Sequence, residues 1–280
     1  MITILYEYNQ NGPGKVIKNL KLGLEKLDIP YKENPSTIDK DDKVIALQWH
    51  PLVSSVNPEN LLIGPNVCTL PIDNEFIMSK KYKKVVVPSE WIKNKYKRWI
   101  PTEKIFVWPV GIDTDFFDDK SSIEKTLDCL IYYKRRSFED LTFVTKILKQ
   151  YNQTFDIIEY GNYSENDFIN KVSKSKYVFM LDNCESQGIA IQEIMSMNVP
   201  MFVWDVKQWA DRGEEFKVEA SSVPYWDDRC GMYETKIESI HQAFNLFLEK
   251  FGFFNPRDYI LNNLTLEKKA QDIFSEIYDF

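Results

Sequence analysis

Cys184-Glu185-Ser186-Gln187-Gly188-Ile189-Ala190-Ile191-Gln192-Glu193-Ile194-Met195-Ser196-Met197-Asn198-Val199-Pro200 lies between two apolar runs, Lys176 to Leu181 and Val199 to Val203. The runs read as buried strands, and Ile189 to Met197 reads as a helix that Asn198 and Pro200 bring to an end. A strand, a helix and a second strand in this order form a parallel pair with a right-handed crossover. The loop before the helix places the backbone N–H groups of Ser186 to Ala190 at a helix N-terminus, an arrangement suited to an anion such as phosphate. Glu185 and Glu193 stand about two helical turns apart and can reach different parts of one elongated ligand. Taken alone, the pair also reads as a helix N-terminal charge plus an exposed surface glutamate.

The same alternation runs outward in both directions. Towards the start of the second half come strands at Leu127 to Tyr133 and Phe155 to Tyr160, with helices at Phe138 to Tyr151 and Glu165 to Ser173. In the first half, Ile2 to Tyr8 reads as a strand that feeds the turn Asn9-Gln10-Asn11-Gly12-Pro13-Gly14. Val16, Leu20, Leu24 and Leu27 then recur at helical spacing, which makes this the opening unit of a Rossmann-like domain. Strands are expected at Lys43 to Gln48, Asn66 to Leu70, Lys83 to Val87 and Lys104 to Trp108, with a helix at Trp91 to Trp99. The polar segment Asp113 to Lys125 breaks the pattern and predicts a boundary. The tail from Pro256 reads as helical, with a break at Asn263 to Thr265. The expected architecture is therefore α/β, with two Rossmann-like domains in tandem and a ligand cleft at the carboxyl ends of their sheets.

Composition narrows the function classes. The 280 residues are 44% hydrophobic and 28% charged with a net charge of −7, a globular composition that excludes disordered and collagen-like chains. The acidic balance argues against a broad nucleic-acid footprint, although Lys80 to Lys84 and Lys93 to Arg98 are locally basic. Four dispersed cysteines and two histidines supply neither a disulfide frame nor a zinc site. With no long apolar stretch and no signal-like start, the expectation is a cytoplasmic protein without a transmembrane segment, peripheral membrane contact staying open.

Glu185, the loop and Glu193 together resemble the E-x7-E signature of the retaining family 4 GT-B glycosyltransferases. Val87-Pro88-Ser89-Glu90-Trp91, followed by Lys104 to Phe117, is similar to that family's exit from its N-terminal domain, and Arg257 to Asp272 to its C-terminal helix. The resemblance implies a GT-B fold with parallel sheets facing a central cleft and a C-terminal helix that returns to the N-terminal domain. Residues 1–115 plus 263–280 would form a shortened acceptor domain, and residues 116–262 the nucleotide-sugar donor domain. It implies that Glu185 contacts the donor sugar, that the amides of Ser186, Gln187, Gly188, Ile189 and Ala190 hold the distal phosphate, and that Glu193 binds the ribose. The family's aromatic-glycine loop is replaced here by Ser186 to Ile189, so sugar specificity does not carry over.

Lys134, Arg135 and Arg136 follow a predicted strand at its carboxyl end. They can hold a diphosphate and stabilise the charge that grows on it, or they can be a solvated basic turn. Tyr160, Gly161 and Asn162 resemble the segment that packs on the donor base, and Asn11, Gly12 and Gly14 the N-terminal glycine-rich loop. His50 and Asp73, with Glu75, are the acid–base candidates of the first domain. Asp113-Thr114-Asp115 matches the metal-binding DxD of another glycosyltransferase fold, but its place in a domain exit reads as a linker turn, so neither metal nor other cofactor is expected. Trp204, Trp209, Tyr225 and Trp226 are candidates for an acceptor groove.

These readings predict a metal-independent transfer of one sugar from a nucleoside diphosphate sugar, UDP favoured, to a hydroxyl of a glycan, lipid or protein-linked acceptor, with retention. The alternatives are an inverting enzyme with Asp73 or His50 as base, a nucleotide-sugar epimerase or hydrolase, and a non-catalytic nucleotide-sugar-binding subunit.

Overall fold

The computed structural model describes residues 1–8 and 10–278, so Asn9 of the expected turn and the final two residues of the predicted returning helix fall outside it. The chain divides into unit 1, residues 1–111 and 264–280, and unit 2, residues 112–263.

Unit 1 is built on six parallel strands: β1 (Ile2–Leu5), β2 (Tyr31–Glu33), β3 (Lys43–Ala46), β4 (Leu61–Ile63), β5 (Lys84–Val87) and β6 (Ile105–Val107), in the order β2-β1-β3-β4-β5-β6. Before residue 112 its helices are α1 (Asn11–Lys26), α2 (Glu75–Ser79) and α3 (Glu90–Tyr96). The fourth strand corrects the expectation at Asn66 to Leu70, which is loop. Leu61–Ile63 is fully buried and supplies the pairing instead. That run is too short to stand out beside the polar Pro58–Asn60 turn that precedes it. The edge strand β2 was not expected, because Tyr31–Glu33 is only partly buried and lacks an apolar pattern. Helix α1 begins at Asn11, so Asn11, Gly12, Pro13 and Gly14 form its first turn rather than a loop ahead of it.

Unit 2 holds β7 (Leu127–Tyr133), α4 (Phe138–Gln150), β8 (Phe155–Glu159), α5 (Glu165–Ser173), β9 (Ser175–Leu181), α6 (Ile189–Ser196) and β10 (Met201–Trp204). A small antiparallel pair, β11 (Gln208–Trp209) with β12 (Val218–Glu219), precedes β13 (Gly231–Glu234), α7 (Ile240–Lys250) and α8 (Pro256–Asn263). The main sheet is parallel throughout, in the order β13-β10-β9-β7-β8. Phe244 and Phe247 of α7 are fully buried and meet Phe179, Phe202 and Tyr177 of the sheet, so α7 supplies much of this core. At the start of the unit, the Arg257 guanidinium donates to the carbonyls of Thr114, Phe117 and Ser196 and fixes the first turn against α6.

The C-terminal helix α9 (Leu266–Tyr278) belongs to unit 1 and packs along α1. Two glycines make room for it. A Cβ at Gly23 would lie 2.5 Å from the Leu266 carbonyl oxygen, and one at Gly111 would lie 2.5 Å from that of Thr265. Trp108 Nε1 donates to the Lys269 carbonyl at 2.7 Å, and Lys84 pairs with Glu276 at 2.8 Å. Among the described residues no helix is long and apolar enough to cross a membrane.

Candidate functional site

Both sheets reverse their order of strand addition beside their first strand, between β1 and β3 in unit 1 and between β7 and β9 in unit 2. Ligands of open α/β sheets bind outside the carboxyl ends of the strands at such a point.

In unit 2 the strand ends there bring together Lys134, Asp182 and Glu185. Lys134 follows β7, and its backbone N–H donates to the Leu181 carbonyl at 2.9 Å, which ties the two strand ends together. Its ammonium is paired with Glu185, lies 3.4 Å from Asp182 Oδ2 and sits 4.5 Å from the centre of the Tyr160 ring. Burial works against the Lys134 charge, yet Glu185 and Asp182 outweigh it and hold the pKa above its usual value. Asp182 is 1% exposed. Burial and the neighbouring Glu185 carboxylate push its pKa up to about 8, against the opposing pull of Lys134.

The rest of the basic cluster separates into different environments. Arg136 pairs with Asp140 at 3.0 Å, lies 4.5 Å over the Trp204 ring and donates to the carbonyls of Asp182 and Trp204 at 3.3 and 3.2 Å. It braces the ends of β9 and β10. Arg135 is exposed, with a left-handed backbone at φ 52°. Tyr160 is half exposed, and Asn162 is turned back onto Glu159, its amide donating to that carboxylate at 2.8 Å.

The loop from Glu185 to α6 is fixed from two sides. Glu185 donates its backbone N–H to the Ser221 carbonyl at 3.0 Å. Gln192 Nε2 donates to the Gln187 carbonyl at 2.7 Å, and the Tyr225 hydroxyl donates to Gln187 Oε1 at 3.2 Å. Gly188 is the cap residue, left-handed at φ 60°, and no side chain caps the helix. The amides of Ile189 and Ala190 have no partner within the helix, and they carry the positive end of its dipole. Glu193 is 3% exposed, so the reading of it as an exposed surface charge does not hold.

Sequence reasoning passed over two carboxylates here. Asp182 ends the apolar run of β9, and Asp205 ends that of β10; an acid placed directly after a buried strand was the available signal. Asp205 accepts from the Ser222 amide at 2.6 Å and the Ser221 hydroxyl at 2.9 Å, and its pKa is raised by burial. It anchors the segment that in turn holds Glu185. Trp204 and Trp209 are 6% and 5% exposed and belong to the core, which corrects their candidacy for a groove.

At the corresponding point of unit 1, Gln48 is 2% exposed. Its Oε1 accepts from the amides of Glu7 and Tyr8 at 3.0 and 3.1 Å, and its Nε2 donates to the Tyr8 carbonyl at 2.7 Å. One side chain thereby holds Glu7 and Tyr8 where the chain leaves β1. His50 caps the short turn Pro51–Ser55, its Nδ1 accepting from the Leu52 amide at 3.2 Å. That bond occupies the lone pair of Nδ1. Asp73 and Glu75 are exposed, on the turn Pro71–Asp73 and in the first turn of α2. In the DxD segment, Asp113 Oδ1 accepts from the amides of Asp115 and Phe116 at 3.2 and 3.1 Å, so this carboxylate closes its own turn.

No family model and no curated protein matches the sequence. Solved structures do match. The S. aureus protein TarM, solved with fondaparinux, alpha-GlcNAc-glycerol and UDP, is similar over 94% of this chain at 13% identity and a TM-score of 0.57. The present chain covers 58% of that protein's length. The lipopolysaccharide outer core galactosyltransferase WaaB matches over 99% of both chains, at 13% identity and a TM-score of 0.59. Sucrose-phosphate synthase from Thermosynechococcus elongatus matches over 99% of this chain and 98% of its own, at 10% identity and a TM-score of 0.58. Two parallel-sheet units and a C-terminal helix packed on the first give this chain the GT-B fold of glycosyltransferases.

Proposed function

We propose that the protein is a metal-independent glycosyltransferase that moves one sugar from a nucleoside diphosphate sugar to a hydroxyl of a glycan, lipid or protein-linked acceptor. The observation that carries this reading is the largely buried Lys134–Glu185 pair at the switch point of unit 2, beside the start of α6, which no side chain caps. A cation and a row of amides suit the diphosphate, and a carboxylate between them suits sugar hydroxyls.

In this reading unit 2 binds the donor and unit 1 the acceptor. Lys134 holds the diphosphate and stabilises the charge that grows on it as the glycosidic bond breaks. The amides of Ser186 to Ala190 hold the distal phosphate, Glu193 the ribose and Glu185 the transferred sugar. Arg135 is the more available of the two arginines for a phosphate, since Arg136 is engaged in packing. Retention fits a site whose nearest charged groups serve the donor: the leaving diphosphate oxygen takes the acceptor proton while the acceptor oxygen bonds to the anomeric carbon on the same face. His50 as an inverting base is disfavoured by its Nδ1 cap.

A panel of UDP-, GDP- and ADP-sugars, read by thermal shift and nucleotide release with Glu185→Ala and Glu193→Ala as controls, tests the donor site. Stabilisation of the wild type by one of them, lost in both variants, is expected. If no nucleotide sugar stabilises the protein, the assignment fails. The anomeric configuration of the product by NMR then decides between retention and inversion.

A further inference from the structure

The cluster in unit 2 contains one more carboxyl than donor binding requires. Asp182 lies beside the Lys134–Glu185 pair: its Oδ2 is 3.4 Å from the same ammonium that Glu185 meets, so one cation brings the two carboxyls together. It is also firmly placed. Oδ1 accepts from the Asn183 amide at 2.7 Å, and its backbone carbonyl accepts from the Ser222 hydroxyl at 3.1 Å and from Arg136 at 3.3 Å. The titratable and charged groups around it are Tyr132 of β7, Lys134 and Arg136 just after that strand, and Glu185 and Cys184 from the loop before α6. Asp205, after β10, is held to the same segment through Ser221 and Ser222.

One ammonium facing two ionised carboxyls leaves a net negative charge in a place nearly closed to water, and a diphosphate would add more. A single proton on the pair removes the conflict. A neutral carboxyl can accept from the ammonium and donate to the neighbouring carboxylate at the same time. Resting on the donor reading, we propose that Asp182 is a positioning residue that works as a neutral acid, steadying Lys134 for the diphosphate while its own O–H orients Glu185 towards the sugar.

The test compares wild type, Asp182→Asn and Asp182→Ala by isothermal titration with UDP, GDP and ADP at pH 7 and pH 9. Asparagine reproduces the neutral acid, with an oxygen to accept and an N–H to donate. Wild-type affinity should fall about tenfold between the two pH values, as expected when binding needs the protonated form of a group with a pKa near 8. Asp182→Asn should keep its pH 7 affinity at pH 9, and Asp182→Ala should bind weakly at both. Titration of the nucleotide itself is common to all three proteins and cancels. Parallel falls in wild type and Asp182→Asn, or wild-type binding by Asp182→Ala, would overturn the role of Asp182 and leave the donor site standing. Absence of binding by the wild type would instead overturn the donor reading and this inference with it.

Discussion

The two sheets reverse their strand order at equivalent points, but the residues that bridge those points differ in kind. In unit 1 a neutral amide, Gln48, ties the ends of β1 and β3 through three hydrogen bonds to Glu7 and Tyr8. In unit 2 an ammonium sits between two carboxyls across the ends of β7 and β9. Topology decides where a bridge is needed, and the side chain decides whether it can do chemistry. The amide is satisfied by backbone and has no reason to release it. In the ion cluster the ammonium can turn from a carboxyl to an incoming anion, because its contacts are to side chains and not to backbone.

The sharpest way to break this contrast is to remove each bridge in turn. Lys134→Ala and Glu185→Gln should each lower turnover by about 10²- to 10³-fold with the fold intact, measured as nucleotide release beside far-ultraviolet circular dichroism. Gln48→Ala should instead cost about 1–3 kcal/mol of stability, because three backbone groups lose their partner, and should show as a lower denaturant midpoint. If it lowered turnover as much as Lys134→Ala in protein that is still folded, the distinction between a structural and a chemical bridge would collapse.

Smaller effects sharpen the comparison at its margins. Gly188→Ala puts a Cβ on a left-handed residue, 3.3 Å from Ile191 and Pro224, and should cost about 1–2 kcal/mol while weakening nucleotide affinity. Thermal unfolding with and without nucleotide separates the two losses. The smallest change is expected from His50→Ala, about 1 kcal/mol for a lost cap, with His50→Asn restoring most of it because its side-chain oxygen can accept from Leu52. A large loss of turnover in His50→Asn at unchanged stability would return His50 to the list of acid–base groups.

Much of the fold was legible because buried parallel strands are written as short apolar runs. Leu127 to Tyr133 and Glu165 to Ser173 were read to the residue. Legibility failed where pairing and not composition makes the strand. Tyr31–Glu33 is an edge strand with no apolar signal, and Leu61–Ile63 is three residues long, so the neighbouring Asn66 to Leu70 drew the assignment instead. In the candidate site, Lys134 and Glu185 were visible as charges at strand ends. Their proximity, 51 residues apart in sequence, was not, and neither was Asp182, whose significance depends on the lysine that faces it. Gln48 was invisible for a related reason: a glutamine after a strand acquires meaning only from the backbone amides it meets.

The docking of α9 on α1 has a bearing on how the protein is made. Residues 112–263 are continuous in the chain, whereas unit 1 is interrupted by them. A nascent polypeptide can therefore complete unit 2 while the notch beside Gly23 and Gly111 still stands open, awaiting a helix that has not left the ribosome. Until Leu266 arrives there, unit 1 is held in suspense by a segment encoded some 240 codons after Gly23.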